Sequence, residues 1–136
     1  MSLVIDSSVT LSWFFEDERT AASDTVLRQV AESGATVPSL WRLEVANALH
    51  MAVRRKRIKA AFRDATLADL RTLDIAVDAE TDRQAWATTL HLAERFRLTL
   101  YDAAYLELAQ RLGSPLATLD KELRVASREL GVTLRG

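Results

Sequence analysis

Five short apolar runs punctuate this chain, and each is separated from the next by a stretch whose apolar positions recur at helical spacing. The runs are Leu3-Val4-Ile5, Ala35-Thr36-Val37, Ile75-Ala76-Val77, Leu116-Ala117-Thr118-Leu119 and Val132-Thr133-Leu134. Runs this short, rich in β-branched residues and bounded by polar or turn residues, predict strands buried on both faces. Between them, residues 20–33 carry Ala22, Val26, Val30 and Ala31 with Gly34 as a stop, and residues 39–56 carry the stripe Trp41, Val45, Ala48, Leu49 and Ala52. Further helices are predicted over 59–70, 81–96, 102–112 (ended by Gly113) and 121–130, while the hydroxyls of Ser7-Ser8 suit a loop or a helix cap. This alternation predicts an α/β fold, a three-layer α/β/α sandwich around a mostly parallel sheet. In such a sheet, ligands bind beyond the carboxyl ends of the strands.

The chain has 136 residues, 49% of them hydrophobic, which suits one domain over residues 1–136 with a core of its own. Four glycines and two prolines leave no room for an interdomain linker. The lack of cysteine excludes a disulfide framework and any thiolate metal site. The N-terminus has no positively charged leader, and no apolar run approaches the ~20 residues needed to cross a bilayer, so a soluble cytoplasmic protein is expected. A net charge of −1 does not advertise nucleic-acid binding. Global charge says little, however, when acids gather in a pocket and bases at its rim.

Four acidic residues stand where segments end or turn. Asp6 follows the first strand, Glu44 lies at the boundary of the buried stripe on the 39–56 helix, Asp102 opens the 102–112 helix, and Asp120 follows the fourth strand. Each has an ordinary structural role available: Asp6, Asp102 and Asp120 suit helix N-caps, and Glu44 suits a surface ion pair. Each is also flanked by apolar residues, and buried carboxylates are costly unless a cation or hydrogen bonds compensate them. A doubly wound fold can gather all four above the sheet, where they would form a divalent-metal site. An oxygen-only donor set favours Mg²⁺ or Mn²⁺. The chemistry such a site implies is metal-assisted phosphodiester hydrolysis.

The segments Val4-Ile5-Asp6-Ser7-Ser8-Val9, Leu43-Glu44-Val45-Ala46-Asn47-Ala48-Leu49, Leu100-Tyr101-Asp102-Ala103-Ala104-Tyr105 and Thr118-Leu119-Asp120-Lys121-Glu122-Leu123 together resemble the PIN-domain ribonucleases. Within that family the likeness is to the VapC-type toxins of bacterial toxin–antitoxin pairs, over essentially the whole chain. The resemblance implies a parallel α/β/α sandwich and Mg²⁺- or Mn²⁺-dependent endonucleolytic cleavage of RNA. It assigns Asp6, Glu44 and Asp102 as core acids, Asp120 as the fourth, and Ser7 or Thr118 as a supporting hydroxyl. It also implies a VapB-type antitoxin as partner and a homodimer.

The basic cluster Arg54-Arg55-Lys56-Arg57 and the nearer Arg42 are candidates for phosphate contacts, although cations at a helix C-terminus also complement its dipole. Three consecutive rings, Trp13-Phe14-Phe15, cannot all face one core, so at least one is expected to be exposed in a partner groove, which the resemblance to VapC toxins implies would receive an antitoxin segment. His50 and His91 lack ligand spacing and read as helix-surface residues. Two rival functions fit parts of the pattern. A receiver-like phosphoacceptor domain would use Asp78 after the third strand, and a PIN-like binding module would keep the fold without catalysis.

Overall fold

The computed structural model describes residues 3–136. Its elements in chain order are β1 Val4–Ile5, α1 Ser7–Ser12, α2 Ala21–Ser33, β2 Ala35–Val37, α3 Trp41–Arg54, α4 Ala60–Arg71, β3 Ile75–Val77, α5 Thr81–Ala85, α6 Thr88–Phe96, α7 Leu100–Leu112, β4 Leu116–Ala117, α8 Lys121–Leu130 and β5 Leu134–Arg135. The strands form one sheet in the order β3-β2-β1-β4-β5, every pair parallel. Helices cover both of its faces, which is the α/β/α sandwich expected from the alternation of runs. The central register pairs Val4 with Thr36 on one side and with Leu116 on the other.

Burial follows from that order. Leu3, Val4 and Ile5 are wholly buried because β1 has a strand on each edge and helices on each face. Helix α7 is buried continuously from Ala103 to Ala109, so it runs as a core helix with no solvent stripe through its middle. Glu107 lies in that buried stretch, and its carboxylate takes two hydrogen bonds from Arg111, at 2.8 and 3.0 Å. Arg111 also donates to Asp78 at 2.7 and 3.2 Å, tying α7 to the end of β3. At the start of β2, Gly34 has φ 76°, and a Cβ there would come within 2.6 Å of the Asp74 carbonyl, so only glycine lets β2 lie this close to the approach to β3.

Several boundaries differ from those predicted. The Ser7-Ser8 segment starts a true helix, α1, capped by Asp6. The single helix predicted over 81–96 is two helices that meet at Trp86-Ala87. α5 buries no residue and α6 buries Thr89, Leu92 and Ala93, so one straight axis would not serve both. Helix α7 begins at Leu100 rather than at Asp102, because Thr99 supplies the cap. β4 stops at Ala117, and the fifth strand falls at Leu134–Arg135 instead of 132–134.

The aromatic triplet also departs from expectation, since none of its three rings is exposed. Trp13 is buried and donates its indole N–H to the Ser23 carbonyl at 2.9 Å. Phe15 is buried beneath Arg57, whose guanidinium stands 4.1 Å from the ring centre, and Phe14 is half-buried. The chain turns after α1, which lets adjacent rings enter different parts of the core.

Candidate active site

Three of the four acids hang from adjacent parallel strands. Asp6 follows β1 directly, Glu44 lies in the first turn of α3 after β2, and Asp120 lies between β4 and α8. Because β2, β1 and β4 are neighbours and parallel, these residues all leave the same edge of the sheet, with strands about 4.8 Å apart. The chain passes from β1 to β2 on one side, while β4 lies on the other, so Asp6 sits at the point where strand order reverses. Asp102 arrives separately, in the first turn of α7.

Hydrogen bonds fix each acid locally. Asp6 Oδ1 accepts from the Ser8 hydroxyl at 2.7 Å and from the Val9 N–H at 3.0 Å, and its Oδ2 accepts from the Thr118 hydroxyl. The Thr118 hydroxyl accepts in turn from the Asp120 N–H at 3.0 Å, and Ser8 accepts from the Leu119 N–H at 3.0 Å. Asp6 therefore joins the end of β1 to the end of β4 through two hydroxyls. Asp120 caps α8 by accepting from the Leu123 N–H at 2.8 Å. Glu44 Oε1 accepts from the Tyr105 hydroxyl at 2.5 Å, and the nearby Ser7 hydroxyl favours the ionised form of either group. Thr99 accepts from the Asp102 N–H at 3.1 Å, setting the first turn of α7. The capping and pocket roles thus coincide: Asp6 and Asp120 are helix caps and also face the shared edge.

The electrostatics join the four into one neighbourhood. Burial, opposed by the hydrogen bonds of Thr118, Val9 and Ser8 and helped a little by the charge of Asp102, pushes the Asp6 carboxyl up to about 6. Burial also raises Glu44, opposed by Tyr105 and reinforced by Asp102. Asp102 itself is raised by burial and then by the charges of Asp120 and Glu122. Asp102 is the common partner, acting on Asp6 and Glu44 and acted on by Asp120. As the side chains stand, no three acidic or histidine groups among the described residues are close enough to enclose an ion. The donor set nevertheless suits a hard cation: all the donors are oxygens, and the burial that raises these carboxyls is relieved by a positive charge.

The remaining predicted residues are dispersed. Arg42 is exposed and lines a cavity of about 480 Å³ between α3 and α4, together with Trp41, Val45, Leu67, Leu70 and Arg71. Arg54, Arg55 and Lys56 are exposed at the other end of α3 from Glu44, about 15 Å along the axis at 1.5 Å per residue. Arg57 is committed to Asp17 and Glu18, at 2.9 and 3.1 Å, besides its stacking on Phe15. His50 and His91 are exposed helix residues, as expected. Asp78, which a receiver would need as its phosphoacceptor, is held by Arg111 and Thr81.

The sequence marks Ser8 only as a loop or cap hydroxyl and Tyr105 only as a core residue, and it does not single out Thr99. Thr99 was legible as a Thr three residues ahead of an Asp at a helix start. Tyr105 shares a helix face with Asp102, three positions on, but its bond to Glu44 spans 61 residues and leaves no local signal.

The chain is 32% identical over 127 residues to Ribonuclease VapC3 of Pyrobaculum aerophilum, a match that covers 90% of this chain and 92% of that one. Among solved structures it is similar to PAE2754 from Pyrobaculum aerophilum (TM-score 0.71, 23% identity, 98% of this chain and 89% of that one). It is also similar to VapBC2 from Rickettsia felis, bound to a DNA fragment from the pair's promoter (TM-score 0.64, 14% identity, 99% and 98%). The family model for the PIN domain matches residues 3–129. An all-parallel sheet with its acids on one edge, a relative at this identity and a family match over nearly the whole length make this chain a member of the PIN-domain family.

Proposed function

We propose that the chain is a metal-dependent endoribonuclease acting in the cytoplasm as the toxin of a toxin–antitoxin pair, with Asp6, Glu44, Asp102 and Asp120 as its site. The observation that carries this reading is geometric: neighbouring parallel strands β1, β2 and β4 deliver Asp6, Glu44 and Asp120 to one end of the sheet, and Asp102 at the start of α7 lies near enough for its charge to act on Asp6 and Glu44. The relative named a ribonuclease and the VapBC2 neighbour support it. Among the described residues no helix is long and apolar enough to cross a membrane.

The four carboxylates would hold Mg²⁺ or Mn²⁺, which when bound supplies a water of lowered pKa and positive charge for the leaving oxygen of the phosphodiester. The chain's own part is positional. Ser8 and Thr118 hold both oxygens of Asp6, Tyr105 holds Glu44, and Thr99 sets the helix turn that presents Asp102. Thr10 steadies the arrangement from beneath: its hydroxyl donates to the Asp6 carbonyl at 2.7 Å and accepts from the Trp41 indole at 3.1 Å, linking α1 to α3.

A VapB-type antitoxin and a second copy of the chain are the partners in this reading. With Trp13 and Phe15 buried, the apolar cavity between α3 and α4 replaces the aromatic triplet as the place for an antitoxin segment. Trp86 is 91% exposed and Leu43 76% exposed, large apolar surfaces that pairing would remove from water. Replacing Trp86 with Lys should therefore shift the protein toward monomer in sedimentation at micromolar concentration, and an unchanged distribution would remove Trp86 from the dimer face.

The deciding experiment is incubation of purified protein with a pool of structured RNAs in Mg²⁺, Mn²⁺ or EDTA, beside Asp6→Asn and Asp102→Asn variants shown by circular dichroism to be folded. Metal-dependent cutting lost in both variants is the expected result. Cutting that survives both variants would place the site elsewhere, and no cutting under any condition would favour a binding module with this fold.

A further inference from the structure

A second cleft lies beside the acidic edge. It has a volume of about 440 Å³ between the end of α6 and the face of α8 that runs from Lys121 to Glu129, and its walls include Arg95, Phe96, Arg97, Lys121 and Val125. Its position is tied to the acids by the chain itself. Lys121 directly follows Asp120, and Arg97 precedes by two residues the Thr99 that caps Asp102. The first turn of α8 also reaches Asp102 through the charge of Glu122, which lines the same cleft, as does Glu129.

Three features of this cleft suit a nucleic-acid strand. Arg95, Arg97 and Lys121 are exposed, and among the described residues none of them makes an ion pair, whereas Arg57 and Arg111 are fully engaged. The Arg95 guanidinium stands 4.7 Å from the centre of the Phe96 ring, which places a cation and an aromatic surface together. Arg97 ends α6 in the left-handed conformation, φ 55° and ψ 41°. Helices α7 and α8 end in the same conformation with Gly113 and Gly131, as backbone sterics favour. At the helix end that borders the cleft, an arginine takes the position despite the strain.

Resting on the ribonuclease reading, we propose that this cleft seats an RNA backbone phosphate adjacent to the one cut, with Arg97 and Lys121 as its cationic contacts. The cations attract the backbone without reading bases, so they contribute affinity and register rather than sequence choice.

Arg97→Gly is an informative test because glycine is unstrained at this φ and the melting temperature should hold or rise. In cleavage of the structured RNA pool, Arg97→Gly and Lys121→Gln should each raise KM by about tenfold with kcat retained, and Arg97→Lys should restore part of the loss. Binding of a fluorescein-labelled structured RNA, followed by anisotropy in the Asp102→Asn background, should lose about one unit of salt slope per cation removed. Unchanged KM and salt slope in both variants, with the parent chain still cutting, would overturn the cleft and leave the ribonuclease intact. A fall in kcat alone would also overturn it, because Arg97 would then be acting through Thr99 on Asp102. Failure of the parent chain to bind or cut RNA would remove the ribonuclease reading, and the cleft with it.

Discussion

Tyr105 is a core side chain by every local measure, wholly enclosed on a buried helix, yet its hydroxyl is the partner of Glu44. A phenol buried without a partner would be costly, so the same bond that satisfies Tyr105 also aims the carboxylate. Burial, then the bond to Glu44 and the nearby negative charges, raise the phenol far above its ordinary value, so it serves as a fixed donor. Tyr105→Phe should lower divalent-ion affinity by about 10- to 100-fold, measured by isothermal titration, while the core stays packed. An unchanged ion affinity would show that Glu44 is oriented by other groups. Asp6, Asp102 and Asp120 stand out in the sequence because strand ends and helix starts mark them, and Glu44 because it borders the apolar stripe of its helix. Tyr105 and Ser8 do not, because a hydroxyl's partner is chosen by whatever the fold brings alongside it.

At the scale of elements, the strands and most helices follow from periodicity, and the misplaced boundaries lie where side-chain bonds override it. Thr99 moves the start of α7 back to Leu100, and separate packing of α5 and α6 breaks a continuous helical pattern. Arg111 shows how a long-range ion network holds elements together. It bridges Glu107, buried on its own helix, and Asp78 at the end of β3. Arg111→Ala leaves a buried carboxylate unpaired and should cost on the order of 3 kcal/mol in urea unfolding; a loss within 0.5 kcal/mol, about the range of ordinary surface substitutions, would mean that water replaces it freely. The same network sets a pH dependence. Burial pushes the Asp78 carboxyl up, but the hydrogen bonds and charge of Arg111 outweigh this and hold it below the usual carboxylate range. A carboxyl depressed in the folded state stabilises fully above its unfolded pKa of about 3.9, and that contribution is lost as pH falls through the folded value. The stability difference between the parent chain and Asp78→Asn should therefore be constant above about pH 5 and shrink below pH 4. A difference independent of pH down to acid unfolding would exclude the ion pair as its source.

For the molecule as a whole, burial of Asp6, Glu44 and Asp102 beside one another should carry a stability cost that a bound cation relieves. Asp102 raises the cost of ionising Asp6 and Glu44 and is itself raised by Asp120 and Glu122. Asp102→Asn should accordingly melt higher than the parent chain in EDTA, by about 3 °C for each kcal/mol of repulsion relieved in a domain of this size. Millimolar Mg²⁺ should raise the parent's melting temperature and leave the variant nearly unmoved. A variant that melts lower in EDTA would show that these charges are adequately screened by solvent. The alternation of five apolar runs with amphipathic stretches determined by itself that the chain builds a parallel sheet sheathed in helices, because strand and helix periods are local properties of side-chain order. Local order also placed two acids, Asp6 and Asp120, after strands. Only the tertiary structure decided that β2, β1 and β4 are neighbours, that α7 brings Asp102 to their edge, and that the rings of Trp13 and Phe15 turn inward. Those outcomes depend on packing among segments distant in the chain, and no local period encodes which surfaces will meet.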